Sequence, residues 1–186
     1  NGSSVAESVR TSSTKRMVDY ILNSPALSYV FINMDETLPI PTVTKDINNI
    51  RKRSFLFTPD MNVNIGDYIT QGEDTYLATD KKSDDISPVL IGELCNSEFP
   101  IETKEISVIV DYDSLGRPII KKEKIVITKP CVASTKIYSV NDNSAIPLPD
   151  GAMTVKLPYS EDESQLPKEN QTIVFYGNQF KVTTLN

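Results

Sequence analysis

Residues 66–96 constrain this chain more than any other stretch. Tyr68-Ile69-Thr70 and Thr75-Tyr76-Leu77-Ala78 are two short runs of β-forming side chains, separated by Gln71-Gly72-Glu73-Asp74 with its turn glycine. That pattern predicts a tight hairpin. A charged segment follows, and then Pro88-Val89-Leu90-Ile91-Gly92-Glu93-Leu94-Cys95, an apolar return strand. The same texture recurs along most of the chain. Strands are predicted at 28–32, 54–57, 106–110, 119–122, 125–128, 136–140 and 153–157, with turn residues between them. A last hairpin is expected over 172–176 and 179–184, with Gly177-Asn178 at its turn.

Only the start of the chain reads otherwise. Met17, Tyr20 and Ile21 fall at helical spacing behind a Ser12 or Ser13 cap, and Pro25 ends the segment, so a helix is predicted over 13–23. So short a helix is marginal alone and must dock on a sheet or on a partner. Leu38-Pro39-Ile40-Pro41 is expected to be an extended stretch that its prolines keep out of any sheet centre. Strands spaced by roughly ten to fifteen residues argue for a small β-barrel or sandwich. The expected organisation is a mainly β protein: an arm with the docking helix at 1–50, a barrel-like domain at 51–131 and a second small β module at 132–186. The chain begins on Asn1 and ends on a strand-like run, so both ends read as cut.

Composition narrows the function classes. At 186 residues and 39% hydrophobic content the chain can bury a real core. A net charge of −6 argues against wrapping nucleic acid, because only Arg51-Lys52-Arg53 and Lys121-Lys122 offer local basic clusters. No run of about eighteen apolar residues exists to span a membrane. The chain has no histidine and 2 cysteines, which excludes a Ser-His-Asp or Cys-His catalytic arrangement and a Cys-rich or Cys-His zinc site. Cys95 and Cys131 are expected to be buried free thiols, a disulfide being the alternative that distance in the fold decides.

Asp111-Tyr112-Asp113-Ser114-Leu115-Gly116 has the opening spacing of a calcium loop. Lys122 stands where the twelfth-position glutamate should be, so a β-turn is the expected reading. The acidic pairs Asp84-Asp85, Asp35-Glu36 and Glu161-Asp162-Glu163 read as solvated loops. No cofactor, metal or catalytic residue is expected.

The wording of the 66–96 stretch, "GDYIT…EDTYLATD…LCN", resembles the head-closure (neck or connector) proteins of long-tailed phages and prophages of Gram-positive bacteria. Arg53 to Asp60 is similar to the strand these proteins carry before the "GD" turn. Lys129-Pro130-Cys131-Val132 is similar to the point where their barrel gives way to a second β module, and the resemblance extends to the end of the chain. Phe99-Pro100-Ile101-Glu102 departs from it, standing where relatives often carry an aromatic-rich strand.

The resemblance implies a virion structural protein and no enzyme. Its partners would be the portal or connector ring, tail-completion proteins and further copies of itself in a ring. Packaged DNA would pass close by, and no membrane would be involved. Met17, Tyr20 and Ile21 are the expected docking side of the helix. Two loops are candidates for facing the channel or a neighbour: residues 80–87 with Lys81, Lys82, Asp84 and Asp85, and residues 111–117 with Asp111, Asp113 and Arg117. Like-charged subunits repel side by side, so a ring is expected only on a template. A cell-surface or adhesive β-sandwich module is the alternative from another class.

Overall fold

The computed structural model describes residues 5–47, 51–83, 86–135, 152–158, 160, 162 and 165–183. One helix opens it, α1 (Val5–Leu22), longer than the predicted segment. Among the described residues eleven strands follow: β1 (Leu27–Ile32), β2 (Ile40–Asp46), β3 (Lys52–Phe57), β4 (Tyr68–Gln71), β5 (Asp74–Ser83), β6 (Pro88–Leu94), β7 (Ser97–Tyr112), β8 (Pro118–Thr135), β9 (Met153–Lys156), β10 (Thr172–Phe175) and β11 (Asn178–Lys181). The mainly β expectation with an N-terminal helix is what the structure has. The predicted strand at 136–140 lies outside the described residues, as do Asp84 and Asp85.

The chain forms two compact units, 1–96 with 131–158, and 97–130 with 159–186. The first unit is built on a closed antiparallel barrel of order β1-β2-β3-β6-β5-β4, with β4 returning to pair with β1. Closure leaves no unpaired edge among these strands. Alternate positions point inward and form the core: Val30, Ile40, Phe55, Phe57, Ile69, Tyr76, Ala78 and Leu90, with Val63 from the segment before β4. Gly92 faces Phe55 and Tyr76 in this interior, so small residues leave room for large ones. Thr42 is also fully buried and donates its hydroxyl to the Leu56 carbonyl at 2.8 Å.

Two strands of the barrel come from the segment that sequence reasoning assigned to the arm. Pro39 and Pro41 do not keep β2 out of the sheet. Pro41 pairs with Tyr29 of β1, and the ladder to β3 begins only at Thr42, so the missing N–H falls before the second set of bonds is needed. Charged residues 80–83 also differ from expectation, because β5 continues through them. A register shift between Ala78 and Asp80 bends the strand, and Asp80, Lys81, Lys82 and Ser83 go on pairing with β6.

In the second unit, β7 pairs with β8 as one long hairpin rather than as separate short strands. Phe99 and Ile101 are buried near its base. There Phe99 meets Phe175 of β10 with ring centroids 5.6 Å apart. β10 and β11 form the last hairpin, with Phe175 opposite Asn178. Its two-residue turn is therefore Tyr176-Gly177, one position before the predicted pair, and both residues have positive φ (50° and 73°) as such a turn demands. β8 does not break at Pro130. It runs on into the first unit, where residues 132–135 pair with β9.

Candidate interaction surfaces

The motif residues that singled out this chain are structural joints. Asp67, the aspartate of "GD", accepts the Asn64 amide at 2.7 Å through one oxygen and the Asn33 side-chain amide at 3.0 Å through the other. Asn33 in turn accepts the Tyr68 amide at 3.0 Å, which ties the end of β1 to the start of β4. Asn96, the asparagine of "LCN", bonds the Ala133 peptide on both sides, donating to its carbonyl and accepting its N–H at 2.8 Å each. A side-chain amide here takes the part of a peptide group and extends pairing beyond the end of β6.

Tyr68, Leu77 and Val132 pack together where β8 covers the outside of the barrel, with Cys95 against them. Cys131 is buried and Cys95 is half-buried just past β6; both are free thiols. Burial pushes the Cys95 thiol up to about 12, with Cys131 nearby adding to the rise. It is therefore almost wholly protonated at neutral pH and a poor nucleophile. Burial also raises the Tyr68 phenol.

Three cations of the basic clusters, Arg53, Lys121 and Lys122, are engaged locally. Arg53 donates to Asp46 at 2.8 Å and to Gln71 at 2.8 Å, and its guanidinium lies 5.3 Å from the Tyr76 ring centre. Lys121 pairs with Glu123, and Lys122 pairs with Glu105. The Arg53 and Lys122 contacts run between strands, whereas Lys121 and Glu123 both lie on β8.

The predicted docking helix separates into two kinds of residue. Ile21 is fully buried, so it anchors α1 and is unavailable to a partner, whereas Tyr20 is 59% exposed. The next-turn neighbour Met17 is half-buried and, with Tyr20, walls a groove of about 620 Å³. Val43, Leu56 and Val89 give it an apolar lining, to which the cations Arg16 and Lys45 also belong. Neither cation has an acidic partner among the described residues.

Of the two predicted loops, the first is partly strand. Lys81 and Lys82 are exposed on β5, and the Lys81 ammonium reaches the Val63 carbonyl and, at 3.2 Å, the Asn64 side chain. The second is the tip of the β7–β8 hairpin, in the other compact unit. There one Asp113 oxygen accepts the Leu115 and Arg117 amides at 2.8 and 2.9 Å, and the other accepts the Arg117 guanidinium at 2.9 Å. Gly116 supplies the positive φ of 74° that closes the turn. The Arg117 amide, then the Leu115 amide and the guanidinium, hold the Asp113 carboxyl below the usual aspartate range. Asp111 accepts the Tyr112 amide at 2.8 Å and has no cationic partner among the described residues.

The rest of this hairpin is unusual for its exposure. Ile106, Ile109, Val110, Tyr112, Leu115, Ile119, Ile120 and Val126 are all exposed. Period-2 alternation puts Ile109 and Val110 on opposite faces, so apolar groups meet solvent on both sides. Sequence reasoning missed this surface; its signal was the apolar residues flanking a polar turn at 106–120.

Among the described residues no group of three His, Cys, Asp or Glu side chains could hold a metal ion, and no helix is long and apolar enough to cross a membrane. These features define a mainly β protein with a closed six-stranded barrel and further small sheets. The chain belongs to the YomX C-terminal domain family, whose model matches residues 60–186. That family is phage-associated and bears the name of a Bacillus prophage protein. The match begins after β3, so α1 and the first three barrel strands lie before it. No curated protein and no solved structure matches the chain.

Proposed function

We propose that this chain is a structural subunit of the phage neck, one of a ring below the portal that closes the DNA-filled head and gives the tail a docking surface. The observation that carries this reading is the β7–β8 hairpin, exposed and apolar on both faces. A lone two-stranded ribbon is marginal in water, and large exposed apolar patches mark surfaces that are covered in an assembly. Membership of a phage-associated family supplies the context. The partners would be the portal or connector ring, tail-completion proteins and other copies of the chain. Packaged DNA would be a passing neighbour, which a net charge of −6 would repel so that the duplex slides without sticking. The role is that of a building block, with no reaction assigned to it and no cofactor.

The test is localisation in intact virions. Gold-labelled antibody or cryo-electron microscopy should find the chain at the head–tail junction, and a phage lacking it should yield filled heads that leak DNA and do not join tails. Label on the host cell surface would instead favour an adhesive module.

A further inference from the structure

Two surfaces of this chain pair exposed apolar groups with charges of opposite sign. The hairpin tip presents Tyr112 and Leu115, 60% and 74% exposed, beside the unpaired carboxylate of Asp111. The groove against α1 is lined by apolar Val43 and Leu56, by Met17 and Tyr20 of the helix, and by the cations Arg16 and Lys45, which have no acidic partner among the described residues; no carboxylate is among its lining residues.

We propose that the tip of one copy seats in the groove of a second copy, Leu115 and Tyr112 entering the cleft while Asp111 meets Arg16 and Lys45. Asp113 and Arg117 satisfy each other within the turn, so Asp111 carries the charge into the contact. The same turn bonds hold the loop in shape before it docks, which lowers the ordering cost of association. Tip and groove are different patches of one chain, so the contact is head-to-tail, and such contacts close into rings or run on as filaments. This inference rests on the ring reading above for its closure. One tip in one groove is a small contact. It forms at high local concentration, as on a template, and only weakly in dilute solution.

The experiment uses the full chain carrying the photo-crosslinker p-benzoylphenylalanine at position 115, mixed in concentrated solution with isotopically heavy protein. Irradiation should give heavy–light cross-links to peptides containing Met17, Tyr20 or Leu56. Asp111→Lys in the probe-bearing chain should lower their yield about tenfold, as expected when a charge pair across an interface is reversed. Arg16→Glu with Lys45→Glu in the partner chain should restore it. All three positions are exposed charges, and unchanged thermal melts would confirm that folding is intact. Cross-links only within one chain, cross-links elsewhere, none at all, or a yield indifferent to Asp111→Lys would each overturn the contact. Groove cross-links in a protein that virion labelling does not find at the neck would sink the neck reading alone. A neck-located protein whose position-115 probe never reaches the groove would sink this contact alone.

Discussion

The Asn96 side chain and the Ala133 backbone exchange two hydrogen bonds, each 2.8 Å long, across a separation of 37 residues. Asn96 follows the end of β6, and Ala133 lies in the stretch of β8 that covers the barrel. Lys156 of β9 reinforces the same region through a 2.7 Å ion pair with Glu93, which is only 15% exposed. The polar joint and the Tyr68–Leu77–Val132 contact together hold the end of β8 onto the barrel within the first unit.

Asn96→Ala removes both bonds and leaves the buried Ala133 peptide without those partners. The expected cost is about 1–3 kcal/mol, the usual range for abandoning buried polar groups. Chemical denaturation would measure it, and hydrogen exchange should accelerate at the Ala133 amide before it does at β3 or β5. Unchanged protection at Ala133 would show that water replaces the side chain at no cost.

Gly92 lies against the Phe55 ring and the Tyr76 Cβ, and the two rings pair edge-to-face with centroids 5.3 Å apart. A Cβ on residue 92 would stand 2.8 Å from a Phe55 ring carbon and 2.9 Å from the Tyr76 Cβ. Gly92→Ala should therefore destabilise by about 1–3 kcal/mol through overpacking. Combining it with Phe55→Leu should cost less than the two changes summed, because the smaller side chain vacates the space the methyl needs. Strict additivity in a double-mutant cycle would refute the steric account.

Much of this fold was legible because its local signals agree. The Gly72 turn, the alternating runs on either side and the apolar return strand give β4, β5 and β6 directly. Their closure into a barrel was not legible, because it depends on Phe31 of β1 meeting Thr70 of β4, 39 positions further on, and Pro41 is tolerated only by the staggered start of the ladder to β3. Asp67 and Asn96 could be read as motif letters but not as joints, since their partners Asn33 and Ala133 are 34 and 37 positions away. The long hairpin was broken into short pieces because both of its faces meet solvent. Its strands therefore lack the alternation that half-buried strands display. Tyr20 and Ile21 share one helical stripe on paper, and only the packed barrel shows which of them is covered.

That last pair makes a sharp comparison. Ile21 is fully buried and Tyr20 is 59% exposed. Ile21→Ala should cost about 2–5 kcal/mol, as truncations in a close-packed site do. Tyr20→Ala should change stability by no more than about 0.5 kcal/mol. Under the neck reading, Tyr20→Ala should weaken assembly while leaving the thermal melt where it is. If both variants melt alike, α1 does not pack as described.

Acid should loosen the hairpin tip before it unfolds the barrel. Asp113 titrates below its ordinary value of 3.8 because the Arg117 amide, the Leu115 amide and the Arg117 side chain all favour its ionised form. A carboxyl depressed in the folded state contributes stability above its unfolded value and loses it as pH falls through the folded one. The turn is therefore fully held at neutral pH and released only in acid, as pH falls below the ordinary aspartate value. The group lies in a surface turn and stays partly open to solvent, so the effect is local rather than a large share of global stability. An NMR titration should follow the Leu115 and Arg117 amide resonances moving together with the Asp113 carboxyl signal, at a midpoint below that of free aspartate. Asp113→Asn should abolish the acid transition at those two amides, and a midpoint at or above the ordinary value would show that the turn does not select the carboxylate.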